Sequence, residues 1–116
     1  MRLWRDARAV CASMGVDATF DAFRQVCTLQ LVEMHLPVAG RQRGLRVLMI
    51  GDGYGVLAAL FKRELPDASV VLVNIGKTLL FQAYHLQRAY PDSTHATAGA
   101  ADAEAADFVY CPADEL

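Results

Sequence analysis

The sequence predicts an α/β fold built on a parallel sheet, and three observations carry that expectation. Val47-Leu48-Met49-Ile50 is an apolar run that breaks on Gly51-Asp52-Gly53-Tyr54-Gly55. Val56, Leu57, Leu60, Phe61 and Leu65 follow at helical spacing, stopped by Pro66. A second apolar run, Val70-Val71-Leu72-Val73, then ends in Asn74. Strand, glycine turn, helix and strand in that order make a βαβ unit, because parallel neighbours need a crossover between them. The expected class is a Rossmann-like parallel sheet of about three strands, preceded by two helices.

Taken in order, Leu3, Trp4, Ala7, Val10, Cys11 and Met14 recur at three- and four-residue steps, with Arg2, Arg5 and Arg8 largely off that stripe. The spacing predicts an amphipathic helix that Gly15 ends. Asp17 is a candidate cap for a second helix, in which Phe20, Phe23, Cys27, Leu31 and Met34 keep the same spacing until Pro37. These two helices are expected to pack on the sheet edge or shield a substrate cleft. A loop is expected over residues 38–44, so residues 1–44 form a helical segment and residues 45–116 the sheet-bearing unit.

After the βαβ unit, Ile75-Gly76-Lys77 reads as a turn and Thr78 as a cap for a helix carrying Leu79, Leu80, Ala83, Tyr84 and Gln87. Pro91 ends that helix. Residues 93–106 are Ala-rich and read as a loop with a short helix. Asp107-Phe108-Val109-Tyr110-Cys111 is the third strand, broken by Pro112. Val47 to Ile50 shows no polar alternation, so cover on both faces and neighbours on both sides are expected. A strand order of 3-2-1 would leave the first strand with a bare edge, through which copies could associate. With about three strands, the chain reads as the N-terminal part of a longer protein.

Composition bounds the function. A chain of 116 residues, 54% apolar and 21% charged, is enough for one core. No apolar run reaches the length of a membrane span, and the Arg-rich N-terminus lacks a signal peptide's apolar stretch. Cys11, Cys27 and Cys111 lie far apart, fit neither a disulfide framework nor a paired metal site, and read as buried reduced thiols. A cytoplasmic location is expected. The net charge of −2 is unevenly spread: six acidic residues and no Lys or Arg lie beyond Tyr90. The arginines before Val47 are scattered, which speaks for a solvated helix face and against a nucleic-acid surface.

Glycines at 51, 53 and 55 after a strand permit positive φ and leave no Cβ in a ligand's way. The helix expected to begin near Tyr54 would aim its free N–H groups at the same place. Two nucleotide motifs fail. The dinucleotide fingerprint GxGxxG needs glycine or alanine at 56, where Val56 stands, and a P-loop ending in Gly76-Lys77-Thr78 needs glycine at 71, where Val71 stands.

VLMIGDGYGVLAALFKRELPDA resembles motif I of the class I S-adenosylmethionine-dependent methyltransferases, whose usual form is VLDIGxGxG. The continuation VVLVNIGKTLLFQAYHLQRAYPDS, with FRQVCTLQLVEMHLP before it, resembles more narrowly the bacterial sugar O-methyltransferases, which carry a GGGYG or GDGYG turn. The likeness runs from about Phe20 to Leu116. It implies S-adenosyl-L-methionine as cofactor and a sugar or other small molecule as acceptor. Gly51, Gly53 and Gly55 would line the methionine part, with Asp52 and Tyr54 in the same turn. Asn74 falls where the ribose hydroxyls are usually held by an acid, and Asp114 where an acid takes the adenine amino group. Two departures stand out. Met49 replaces the usual acid of motif I, and Asn74 offers an amide oxygen without charge-assisted strength. Asp52 would then supply the negative charge near the sulfonium.

Methyl transfer to a hydroxyl asks for alignment and a base. His35, His85 and His95 are the candidate bases, though His85 within a helix and His35 near a helix end read more simply as structural or surface residues. No catalytic residue and no metal ligand is assigned. A competing reading is a noncatalytic interaction module that keeps the fold and has lost the cofactor, motivated by Met49 and Asn74. A third, a nucleotide- or NAD-binding oxidoreductase, is opposed by Val56.

Overall fold

The two uninterrupted apolar runs do become neighbouring strands. In a computed structural model, which describes residues 2–36 and 44–115, β1 (Arg46–Ile50) pairs in parallel with β2 (Ser69–Asn74). Between them runs α3 (Val56–Glu64), and α4 (Gly76–Ala89) follows β2. A short β3 (His95–Thr97) precedes β4 (Phe108–Pro112), and the four parallel strands lie in the order β1-β2-β4-β3. Three-residue 3₁₀ turns occupy Ala103–Ala105 and Ala113–Glu115. Ahead of the sheet come α1 (Arg2–Met14) and α2 (Phe20–His35). The architecture is α/β with an all-parallel sheet, as in Rossmann-like folds.

Several expectations need correction. The sheet has four strands, not three, because His95-Ala96-Thr97 pairs with Phe108-Val109-Tyr110 inside the stretch expected to be a loop. The helix after β2 begins at Gly76 with Ile75 at its cap, so Thr78 caps nothing. Thr19, not Asp17, stands at the cap of α2, without a side-chain hydrogen bond. The loop expected over residues 38–44 and the stop at Pro37 lie outside the described residues, Gly44 excepted.

Register assigns the faces. Val47, Val70 and Phe108 share one level, and Met49, Leu72 and Tyr110 the next. On this face the strands join Leu3, Ala7, Val10, Leu29, Leu60 and Leu86 from the four helices in one hydrophobic cluster. The opposite face carries only a small cluster, in which Ala96, Ala106 and Val109 pack with Val71. β1 therefore has neither cover on both faces nor neighbours on both sides: it is an edge strand, Met49 is buried, and Leu48 and Ile50 are 62% and 74% exposed. A uniformly apolar sequence has taken an alternating environment.

α1 packs against α2, α3 and α4 along the stripe its spacing predicts, and ends at Gly15 with φ of 76°. Its first turn is tied to the end of α3. Arg2 donates to both oxygens of Glu64, and Asp6, 6% exposed, pairs with Arg63 at 3.2 Å. α2 turns the other way from expectation. It buries Ala22, Val26 and Leu29, while Phe20, Leu31 and Met34 face outward with Cys27. The buried face of α2 packs against α1 and α3, and the stripe the spacing singled out is left outside. Cys11 and Cys111 are buried and Cys27 is exposed, all three free.

Lys62, in the last turn of α3, is buried, and its ammonium donates to the Ala68 carbonyl at 2.7 Å and to Asp107 Oδ1. Asp107 also accepts from the Thr94 N–H and hydroxyl. Burial pushes the Asp107 carboxyl up, but the bonds from Lys62 and Thr94 outweigh it and hold the group below the usual range. One cation thus fastens α3 to the starts of β2 and β4. Lys62→Met removes it and leaves the carboxylate half-buried, which should lower stability by about 1–3 kcal/mol, the smaller end reflecting solvent screening of Asp107. Urea unfolding measures the loss, and Asp107→Asn in the same chain should recover part of it.

Candidate functional site at the carboxyl edge of the sheet

β1 ends at Ile50, but the ladder reaches one residue further, since the Gly51 N–H donates to the Val73 carbonyl at 3.1 Å. The chain then turns through Gly51, Gly53 and Gly55 at φ of 77°, 43° and 92°. The three glycines do different work. A Cβ built on Gly51 or Gly53 would meet no atom of the described residues within 4 Å, so main chain there borders space that they leave open. A Cβ on Gly55 would come within 3.2 Å of Leu86, so Gly55 lets α3 seat against α4.

Asp52 points inward. It is 7% exposed, and its carboxylate accepts from the N–H groups of Leu57 at 3.2 Å and Ala58 at 2.8 Å. The helix starts at Val56, not near Tyr54, and two of its first-turn donors are already spent on this side chain. Asp52 is therefore a helix cap whose charge is directed at α3. Burial pushes its carboxyl up to about 7, and the two backbone bonds pull the other way without cancelling that rise.

Tyr54 is exposed and meets Phe81 and His85 edge-on, with centroids 6.3 and 5.5 Å away. Tyr84 packs on the same imidazole at 5.3 Å, and His85 Nδ1 is buried with no partner among the described residues. These rings form an aromatic wall on α4 beside the glycine turn. His35 is exposed at the end of α2.

Asn74 closes β2 one strand away, in register with Pro112 of β4. Its Oδ1 accepts from the Ile75 N–H at 2.9 Å, which leaves the NH₂ group and one further lone pair of the oxygen for a ligand. Asp114 is exposed in the 3₁₀ turn after β4. The glycine turn, Asn74 and Asp114 thus grow from the ends of three adjacent strands, at the edge where parallel sheets place their ligands. The sheet brings Gly51, at the start of the turn, next to the end of β2 at Asn74, and sets Asp114 one strand further off.

Two clefts flank this edge. One, of about 370 Å³, lies between α2 and the free side of β1 and reaches Gly51 and Asp52. The other, of about 320 Å³, lies between α4 and the β3–β4 pair and reaches Gly76 and Pro112. Inside the second, His95 Nδ1 lies 2.8 Å from the Tyr110 hydroxyl and Nε2 lies 3.0 Å from the Tyr90 carbonyl. The sequence offers His95 as a candidate base but gives no sign of its partner, which lies fifteen residues on and meets it only through the pairing of β3 with β4. Among the described residues no three His, Cys, Asp or Glu side chains could share a metal ion, and no helix is long and apolar enough to cross a membrane.

Comparison with known proteins adds nothing to this geometry: no family model, no curated protein and no solved structure matches the chain.

Proposed function

We propose that this chain forms the cofactor-binding portion of an S-adenosylmethionine-dependent methyltransferase acting on a sugar or another small molecule. One observation carries the reading: Gly51 and Gly53 hold bare, left-handed main chain against open space at the end of an apolar strand, with Asn74 on the next strand. A sulfonium nucleoside can lie against such a turn without meeting a side chain. The bound cofactor would supply the methyl group on an electrophilic sulfonium. The chain's residues would hold its two ends, with Gly51 and Gly53 at the amino-acid part and the Asn74 NH₂ donating to a ribose oxygen. Asp52 contributes indirectly, by fixing the start of α3 behind the turn.

The test is calorimetric titration with S-adenosylhomocysteine, for which saturable one-to-one binding is expected. The absence of both heat and thermal shift at millimolar ligand would overturn the reading for this chain. That outcome would favour a noncatalytic interaction module instead. Its own support is that two groups expected to serve the cofactor are engaged internally, Asp52 on α3 and the Asn74 oxygen on Ile75.

A further inference from the structure

The cleft between α4 and the β3–β4 pair has a chemistry of its own. Its walls are mostly aliphatic, from Leu79, Leu80, Ala83, Ala96 and Pro112, with Gln87 and Thr97 as further polar side chains, and among the described residues no Asp, Glu, Lys or Arg lines it. A charged ligand would be stripped of water there without a counter-charge, and a fully hydroxylated sugar would press several hydroxyls on aliphatic walls. A volume of about 320 Å³ suits a single ring with small substituents.

The polar end of the cleft is more specific. The Tyr90 carbonyl can only accept, so in the neutral imidazole His95 Nε2 carries the proton and Nδ1 accepts from the Tyr110 hydroxyl. The imidazole is pinned in that orientation, nearly parallel to the Phe108 ring at 5.0 Å and to the Tyr110 ring at 6.0 Å. With its proton committed to His95, the Tyr110 oxygen has only lone pairs to offer. Whatever meets it must donate.

We propose that this cleft binds an uncharged, sparsely hydroxylated six-membered ring, whose hydroxyl donates to Tyr110 Oη. Because the cleft reaches Gly76 and Pro112, beside Asn74, the ring would sit on the same edge as the glycine turn. The proposal deepens the methyl-transfer reading by naming the acceptor class, and rests on that reading for the reaction though not for the binding.

Phenol, anisole and glucose are the probes, followed through the His95 ring nitrogens and the β3–β4 amides by NMR. Phenol should give saturable shifts at these positions. Anisole, which lacks the donor, should bind about tenfold more weakly, and glucose should shift nothing. Ala83→Leu, which fills the cleft, should abolish the phenol shifts. Tyr110→Phe keeps the shape of the cleft and should weaken phenol about tenfold while leaving anisole unchanged. Equal binding of phenol and anisole, wild-type phenol affinity in Tyr110→Phe, or no saturable shift at all would each overturn the proposal. Titration of the same sample with S-adenosylhomocysteine keeps the two readings apart. Cofactor binding without a phenol response leaves the methyltransferase reading standing and removes this one, and the reverse result does the opposite.

Discussion

Raising the pH from about 4 to about 8 should cost the wild-type protein up to about 4 kcal/mol of folding stability that an Asp52→Asn variant keeps. The cause is the buried carboxyl at the head of α3, whose pKa rises from an ordinary 3.8 to about 7 on folding. Between those two values the folded protein holds a proton that the unfolded chain has released, so stability falls as pH climbs through the window. It is fully present below the unfolded value and gone above the folded one. The two N–H groups of Leu57 and Ala58 favour the ionised form, but burial at 7% exposure outweighs them. An amide in the same place accepts one of these bonds and sets its NH₂ against the other donor, costing about 1 kcal/mol at every pH. The measurement is therefore the slope rather than the level. Urea unfolding of both proteins across the range should give curves that cross, with the wild type above the variant at low pH and below it at high pH; parallel ones would mean that folding leaves the Asp52 pKa unshifted.

Gly53→Asn should weaken S-adenosylhomocysteine about a hundredfold, close to 3 kcal/mol, while leaving the melting temperature nearly unchanged. Asparagine tolerates the left-handed region better than other side chains, and φ at 53 is only 43°. The new side chain would also meet no protein atom within 4 Å of its Cβ. It would project into the space assigned to the cofactor, so affinity and stability should separate. Unchanged affinity would place the ligand elsewhere. Gly55 could not serve this purpose, since a Cβ there strikes Leu86 and disturbs the packing of α3 on α4 as well.

Much of this architecture could be read from residue order. Val47–Ile50 and Val70–Val73 are apolar enough to be strands wherever they lie, and Gly15 and Pro66 stop helices for local reasons. What escaped depended on partners far along the chain. β3 is only His-Ala-Thr, with no apolar run, and exists because β4 offers it a ladder. On α2 Phe20, Leu31 and Met34 form the more conspicuous stripe, yet the face that packs on α1 and α3 is that of Ala22, Val26 and Leu29. In the site, the glycine turn was legible as strand-turn-helix grammar. The orientation of Asp52 was not, because a cap normally reaches two or three residues ahead and this one reaches five and six. Asn74 is similar: its position follows from the end of β2, but which end of its carboxamide is free depends on Ile75.

The glycine turn hangs from the one long strand that has a neighbour on a single side. If β1 peels away from β2, Gly51 loses its bond to Val73 and the span to Asn74 changes. A molecule gripping both strands would act as a clasp, so part of its binding energy would appear as resistance of that margin to opening. Occupancy and the integrity of the sheet's open side are then one equilibrium seen from two ends.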